Sequence, residues 1–441
     1  MNDTGRILTI PELRYDQALL IADPWPWKVI RCGRRYGKTV TLETIAADAA
    51  ANGEPVGIYA PKFDTLTEVF NHIKVMLEPI LQNSNAGHSI RTTTGGIIDF
   101  WSLSDPNGLF GRGRKYKKVL IDEAAFAPGH TLHQYSTAIK YTTLEFPDAQ
   151  TLVFSTPDDQ DPSNFFAALH VNEEYRYDAT KSAEDNYGRF KQYWRPTHSN
   201  PLIPRAALEK DKKTTHPLKY RQEVLAQFVD FSGESMFANI DAPTNPHPRY
   251  DYIFATMDTA LKADLQGQPG HDGSAVVFFG YSSVFGPDHL HILDWDVQSI
   301  DGVNQFDWLK EILGHGEYLA GRYGAHFGFN KTIVEDKSSG IVLLQQARQA
   351  GLDAEPADSK ITAIGKDGRM RLCIDPVYRG NVKFVQEAYD KVVEFKGATK
   401  NHALDQILKF RFADKASQKR EDDVMDAIAY GIIHALVPTF D

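Results

Sequence analysis

Apolar runs broken by polar turns recur at short intervals through the first half of the chain. Trp27-Lys28-Val29-Ile30-Arg31-Cys32 reads as a strand entering a glycine loop, and Thr39 to Ala51, rich in Ala, as the helix leaving it. Pro55 to Pro61, Gly96 to Trp101, Lys118 to Ile121 and Thr151 to Phe154 are further strand-like runs. Such alternation of strands and helices predicts an α/β domain over 1–175, with a mostly parallel sheet covered on both faces. From about Tyr175 to Phe228 the pattern turns helical and polar, which predicts a small helical lid over 176–230. Gly233, Pro243, Pro246 and Pro248 punctuate a stretch of weak periodicity, a predicted linker over 231–249. The pattern then restarts with Tyr252 to Met257, Ser274 to Tyr281, His289 to Trp295 and Lys331 to Val334, four strands of a predicted mixed sheet. Val424 to Leu436 closes a second α/β domain over 250–441 as a helix.

Composition narrows the class without fixing it. At 441 residues, 42% apolar and 24% charged, the chain has room for two or three ordinary globular cores. No apolar run approaches the roughly 18 residues that a membrane span needs. The N-terminus has no basic segment leading into an apolar stretch, so no signal peptide and no membrane partner is expected. Two scattered cysteines, Cys32 and Cys373, argue against a disulfide framework. The net charge of −10 is uneven: residues 1–230 hold 27 basic and 28 acidic residues, residues 231–441 hold 21 and 30. An acidic total disfavours a protein that simply coats nucleic acid, but not an enzyme whose clustered carboxylates bind metal while local basic patches grip DNA.

Gly33-Arg34-Arg35-Tyr36-Gly37-Lys38-Thr39 has the logic of a phosphate loop, with backbone N–H groups and a helix N-terminus facing anionic oxygens. Lys38 would reach the β and γ phosphates of ATP and Thr39 would ligate Mg²⁺. The strict pattern asks for Gly five places before Gly37; Cys32 stands there and Gly33 follows it. Asp122-Glu123 ends the apolar run Val119-Leu120-Ile121, 83 residues after Thr39. That placement suits Asp122 for Mg²⁺ and Glu123 for activating water. Ser155-Thr156-Pro157 follows the next strand, where a hydroxyl either senses the γ phosphate or sits in a plain turn. Arg112, in Gly111-Arg112-Gly113-Arg114, is a candidate arginine for a neighbouring subunit's ATP, with Arg114 as the alternative. Gln17 either reads the adenine edge or is a surface glutamine.

The second domain carries acids and no Cys/His set with metal spacing. Asp258 and Glu335 end strand-like runs, and Asp422, Asp423 and Asp426 open the last helix. Asp423 and Asp426, three apart, share a helix face, as do Asp422 and Asp426. Carboxylates at two strand ends and a helix start can converge on paired Mg²⁺ or Mn²⁺, ions that favour hard oxygen ligands. The plain alternative is that Asp422 and Asp423 only cap the helix. Asp264 and Asp272 could border such a site.

Taken in order, Gly33-Arg34-Arg35-Tyr36-Gly37-Lys38-Thr39, Asp122-Glu123-Ala124-Ala125, Ser155-Thr156-Pro157, Val334-Glu335-Asp336-Lys337-Ser338-Ser339-Gly340 and Asp422-Asp423-Val424-Met425-Asp426-Ala427 make nearly the whole chain resemble the large terminase subunit of tailed bacteriophages. That family often carries an arginine-rich, imperfect phosphate loop. It usually has His before the C-terminal acid pair, where this chain has Glu421. The resemblance implies an ASCE-type P-loop ATPase with a helical lid, followed by an RNase H-like nuclease. It implies ATP-driven movement of double-stranded DNA through a portal protein into the procapsid, and cutting of concatemers. The implied partners are DNA, the portal, a small terminase subunit and copies of the chain in a ring, commonly of five; the implied location is the host cytoplasm. A cellular helicase-nuclease is the alternative enzyme. A phage structural protein with degenerate sites is the non-enzymatic alternative, against which Lys38, Thr39, Asp122 and Glu123 all stand.

Overall fold

A computed structural model of the chain describes residues 8–85, 88–106, 111–158, 164–229, 237–259, 273–300, 304–336, 339–412 and 422–438. Glu421, Asp264, Asp272, Lys337 and Ser338 lie outside the described residues. Contacts divide the chain into two compact units, Met1–Lys213 with Pro217–Asp230, and Thr214–His216 with Phe231–Asp441. No described helix is long and apolar enough to cross a membrane.

The first unit is built on eight strands: β1 (Trp27–Cys32), β2 (Pro55–Ala60), β3 (Leu81–Asn85), β4 (Ser89–Thr92), β5 (Ile97–Ser102), β6 (Lys118–Ile121), β7 (Gln150–Ser155) and β8 (Lys191–Arg195). Their order is β3-β4-β5-β2-β6-β7-β1-β8. From β5 to β8 every pairing is parallel, and β3 and β4 add an antiparallel edge. β7 is buried along its whole length and β1 nearly so, which is why these strands read as continuous apolar runs. The expected mostly parallel sheet is therefore present. Beyond expectation, β3 and β4 extend the sheet, and the segment predicted as a helical lid contributes β8 to it before the helices Arg205–Thr214 and Pro217–Glu223. β8, Lys191-Gln192-Tyr193-Trp194-Arg195, is an edge strand with mostly half-exposed residues, so it carries no apolar run.

The second unit has six strands: β9 (Tyr252–Asp258), β10 (Ser274–Tyr281), β11 (Leu290–Gln298), β12 (Phe329–Val334), β13 (Ala354–Pro356) and β14 (Val382–Phe384), in the order β13-β12-β9-β10-β11-β14. β10 runs antiparallel to both neighbours, while β12 pairs in parallel with β9 and β13. This is the mixed sheet expected. The closing helix Asp423–Leu436 packs on it closely because Gly431 has no side chain: a Cβ there would stand 2.3 Å from the Phe279 ring. Gly431→Ala should lower the stability of this unit by about 1–3 kcal/mol through overpacking. Urea unfolding followed by circular dichroism reads the shift.

The described part of the expected linker belongs to this second unit. Phe237 and Ile240 are buried, and Phe237 packs at a tilt against Phe410. Thr244 forms a bridge with Val385. His247 stacks on buried His291 with ring centres 4.0 Å apart, and both nitrogens of His291 are taken, by Tyr250 Oη and Asp288 Oδ2.

Candidate functional site

In a parallel sheet the loops that leave the strands' C-terminal ends lie along one edge. The order β6-β7-β1 therefore brings together Asp122-Glu123 after β6, Ser155 at the end of β7 and the glycine loop after β1. Cys32 is the last residue of β1 and fully buried, so the turn starts at Gly33. A Cβ at Gly33 would lie 2.4 Å from Thr197 Oγ1 and 2.5 Å from the Val224 carbonyl oxygen. Only glycine admits that approach. The loop is clamped from outside: Gly33 N–H donates to the Arg195 carbonyl at 2.9 Å, and Arg34 N–H to the Glu223 carbonyl at 2.7 Å. Thr197 Oγ1 donates to the Arg34 carbonyl at 2.7 Å, and Asn200 Nδ2 to that of Arg35 at 2.8 Å. The Arg34 guanidinium pairs with the Glu223 carboxylate. Arg35 and Gly37 adopt left-handed backbone, and Gly37 opens the helix Lys38–Ala51.

The side chains of Tyr36 and Gln17, two of the expected nucleotide-site residues, make contacts within the protein. Tyr36 is fully buried, with the Arg14 guanidinium over its ring at 4.9 Å. Gln17 is buried on the helix Tyr15–Ala22; its Nε2 donates to the Gly37 carbonyl at 3.3 Å, and its Oε1 accepts from Arg14 N–H. Both residues brace the loop. Lys38 and Thr39 stand in the first turn of the helix, and Lys38 Nζ lies 2.5 Å from Glu123 Oε1. Burial alone would pull the Lys38 ammonium down, but Glu123 and Asp122 outweigh it and hold it raised. Burial, then the charge of Glu123, raises Asp122 above the ordinary carboxylate range. A buried carboxyl raised in this way is suited to a divalent cation, which would lie on Asp122. Ser155 Oγ accepts from Ala125 N–H at 3.1 Å, which ties the end of β7 to the turn carrying Glu123. Thr156 is buried beside it.

Arg112 and Arg114 separate clearly. Arg114 Nε lies 3.4 Å from Oδ2 of buried Asp99, which also accepts from Tyr116 Oη at 2.8 Å. Arg112 is exposed in the turn between Gly111 and Gly113 and makes no hydrogen bond or ion pair among the described residues. Arg112 is thus the arginine left available to another molecule.

In the second unit, β9 ends in Asp258 and β12 ends one residue before Glu335. β9 and β12 are parallel neighbours, so these two acids emerge side by side. Gly340 allows the helix Ser339–Ala350 to start hard against the Glu335 carbonyl, where a Cβ would stand 1.8 Å from the oxygen. The N-terminus of the closing helix supplies Asp423 and Asp426, both buried. Helix capping does not explain them: Gln406 Oε1 accepts from Val424 N–H at 2.9 Å and Met425 N–H at 3.1 Å, and Asp422 makes no side-chain cap. Asp423 Oδ2 accepts from Gly273 N–H at 3.1 Å. Enclosure of its carboxyl group, then the charges of Asp426 and Glu335, a hydrogen bond with Glu335 and the charge of Asp423 hold Asp258 well above the carboxylate range. Asp258, Glu335, Asp423 and Asp426 thus act on one another through their charges. Their hard oxygen donors are of the kind that Mg²⁺ or Mn²⁺ favours. Asp422 stands apart in one respect: its carboxylate is taken by Lys366. Lys366, Arg369 and Tyr430, which carried no signal in the sequence pattern, also enter this cluster.

Structure comparison decides the fold. The large terminase of a thermophilic bacteriophage superposes with a TM-score of 0.66 at 13% identity, covering 97% of this chain and 100% of that one. This chain has the large-terminase fold. The same phage's terminase in complex with ADP superposes with a TM-score of 0.62 at 13% identity, over 96% of this chain and 99% of that one. Its complex with ATP-γ-S gives 0.59 at 13% identity, over 95% and 98%. The terminase fold thus runs through both units. A family model for the helicase domain of the RNA cytidine acetyltransferase NAT10/TcmA matches residues 29–152, the stretch from β1 into β7. No curated protein matches the chain.

Proposed function

We propose that this chain is a large terminase subunit, an ATPase that drives double-stranded DNA through a portal into the procapsid and a metal-dependent endonuclease that cuts the concatemer. The observation that carries this reading is the pairing, within one terminase-fold chain, of a phosphate loop facing Asp122-Glu123 and a four-carboxylate cluster on a mixed sheet. A helicase-nuclease would draw on the match to a helicase domain, but a two-lobed helicase needs a second parallel sheet with ATP-contacting arginines. The second unit instead carries a mixed sheet with the acidic centre. ATP-dependent uptake of DNA into portal-bearing shells tests the proposal; uptake that stays at background with ATP present would sink it.

In the first unit, Lys38 would neutralise phosphate charge, and Thr39 with Asp122 would hold Mg²⁺, which supplies Lewis acidity at the phosphates. Arriving phosphates compete with Glu123 for Lys38, and Glu123 so released is placed to take a proton from the attacking water. Ser155 links that turn to the sheet, a route by which hydrolysis moves β7. In the second unit, Asp258, Glu335, Asp423 and Asp426 would hold the nuclease cations, which supply Lewis acidity and a nucleophilic hydroxide at the phosphodiester. The working assembly is a ring on the portal, commonly of five, with a small terminase subunit, in the host cytoplasm.

Arg112 acts across the ring in this reading. Arg112→Ala should bind nucleotide as the unaltered chain does and lose the rate increase that assembly brings, about 10³-fold for a trans arginine. Comparing ATP turnover of the isolated chain with that of the portal-docked ring checks it. Loss of turnover in the isolated chain would place Arg112 in its own site instead.

A further inference from the structure

Where β10 turns into β11, side chains from distant parts of the chain meet. His291, on β11, is fully buried, with Nε2 2.9 Å from Asp288 Oδ2 and Nδ1 2.7 Å from Tyr250 Oη. His247, 41 residues before Asp288, is half-buried beside them, its Nε2 2.8 Å from the Asp288 carbonyl oxygen. Phe285 stacks on the His247 ring with centres 5.4 Å apart. A ligand atom from each of His247, Asp288 and His291 lies within 4.8 Å of the other two. That separation in sequence is why no ligand spacing marked the set.

Two imidazole nitrogens and one carboxylate oxygen suit Zn²⁺ and its borderline neighbours, whereas Mg²⁺ and Mn²⁺ favour oxygen. Ligands of a tetrahedral Zn²⁺ stand about 3.5 Å from one another, so the set needs only modest closing. An outer partner is in place. Tyr250 is fully buried, and its hydroxyl oxygen accepts from His247 N–H at 3.1 Å. The same oxygen can accept from Nδ1–H of His291, which turns the Nε2 lone pair of that ring to the ion. The His247 and His291 rings are stacked, with 23° between their planes, so one ion does not lie in both planes as they stand. His247 has to turn about its Cβ–Cγ bond and give up its hydrogen bond to the Asp288 carbonyl, a small loss beside a metal–nitrogen bond. The place is remote from the acidic centre. His291 pairs with Gly280 on β10, whereas Asp258 pairs with Ala275, about 17 Å away along that strand.

We propose that His247, Asp288 and His291 form a binding site for one divalent ion of the zinc class, with water completing its coordination. The ion ties the stretch 244–250, which leads into β9, to the turn between β10 and β11. Its role is structural, and the site stands apart from both the ATPase and the nuclease readings.

The test is Co²⁺ binding to the full chain without nucleotide, followed by visible absorption, with Zn²⁺ as competitor. The unaltered chain should bind one Co²⁺ with the d–d bands of a four-coordinate ion carrying nitrogen ligands, and Zn²⁺ should displace it. His247→Gln and Asp288→Asn should each weaken binding at least 10-fold and bleach the bands, while Asp258→Asn should leave them. Zn²⁺ should raise the melting temperature of the unaltered chain and not that of His247→Gln. His247 is half-buried, so its glutamine variant should fold; near-ultraviolet circular dichroism checks this. An unaltered chain without such bands would overturn the proposal. So would bands that persist in both folded ligand variants, or bands lost in Asp258→Asn, which would place the ion in the acidic centre.

Discussion

Glu123→Gln should retain ATP binding and lose about 10²- to 10⁴-fold in ATP turnover, the range for removing a positioned general base. The expected split between binding and turnover comes from the contact that Glu123 makes. Its carboxylate holds Lys38 at 2.5 Å, so the glutamine removes a competitor for the ammonium as well as the base. Nucleotide affinity should therefore hold or rise while the rate falls. Lys38→Ala gives the opposite pattern, since the lost charge faces the phosphates and both affinity and rate should drop. Equilibrium binding of a fluorescent nucleotide and steady-state phosphate release separate the two variants. A Glu123→Gln chain that hydrolyses ATP at the unaltered rate would take the base role away from this residue.

The parts of the fold legible in the sequence are those whose burial is simple. β1, β6 and β10 lie where their apolar runs end, because central strands are buried on both faces. The polar edge strand β8 and the short β13 and β14 offered no such run. The acids Asp122, Glu123, Asp258 and Glu335 were legible because each follows an apolar strand, which fixes where it emerges. Their partners were not. Arg195, Thr197, Asn200 and Glu223 clamp the glycine loop from far along the chain, and nothing in local spacing marks them. Lys366 and Arg369 resemble ordinary helix-surface cations until the closing helix is placed against them. Asp422 and Asp423 look alike in sequence as cap or ligand. Gln406 resolves that, since it caps the helix itself and leaves Asp423 to the cluster and Asp422 to Lys366.

Asp258→Asn should abolish DNA cutting, leave ATP turnover unchanged and make the second unit more stable at neutral pH in the absence of divalent cations. The first two effects follow from the separation of the sites into different units. The third follows from the sign of the titration. Asp258 is held above its ordinary range by enclosure and by Asp426, Glu335 and Asp423. A carboxyl raised in the folded state binds its proton more tightly there than in the unfolded chain. Its favourable contribution is complete below the unfolded carboxylate range and is lost as pH rises through the folded value. At neutral pH the native centre therefore carries a repulsion that asparagine, of the same shape and no charge, does not. Melting temperature should rise by about 2–4 °C for each kcal/mol relieved in a unit of this size. Mn²⁺ should reverse the order, because it stabilises the unaltered chain and finds no tight site in the variant. Scanning calorimetry at pH 5 and pH 8, with and without Mn²⁺, reads all four conditions. A variant that melts lower than the unaltered chain at pH 8 without metal would mean that Asp258 holds the fold together, and that its carboxylate is no reserved cation site.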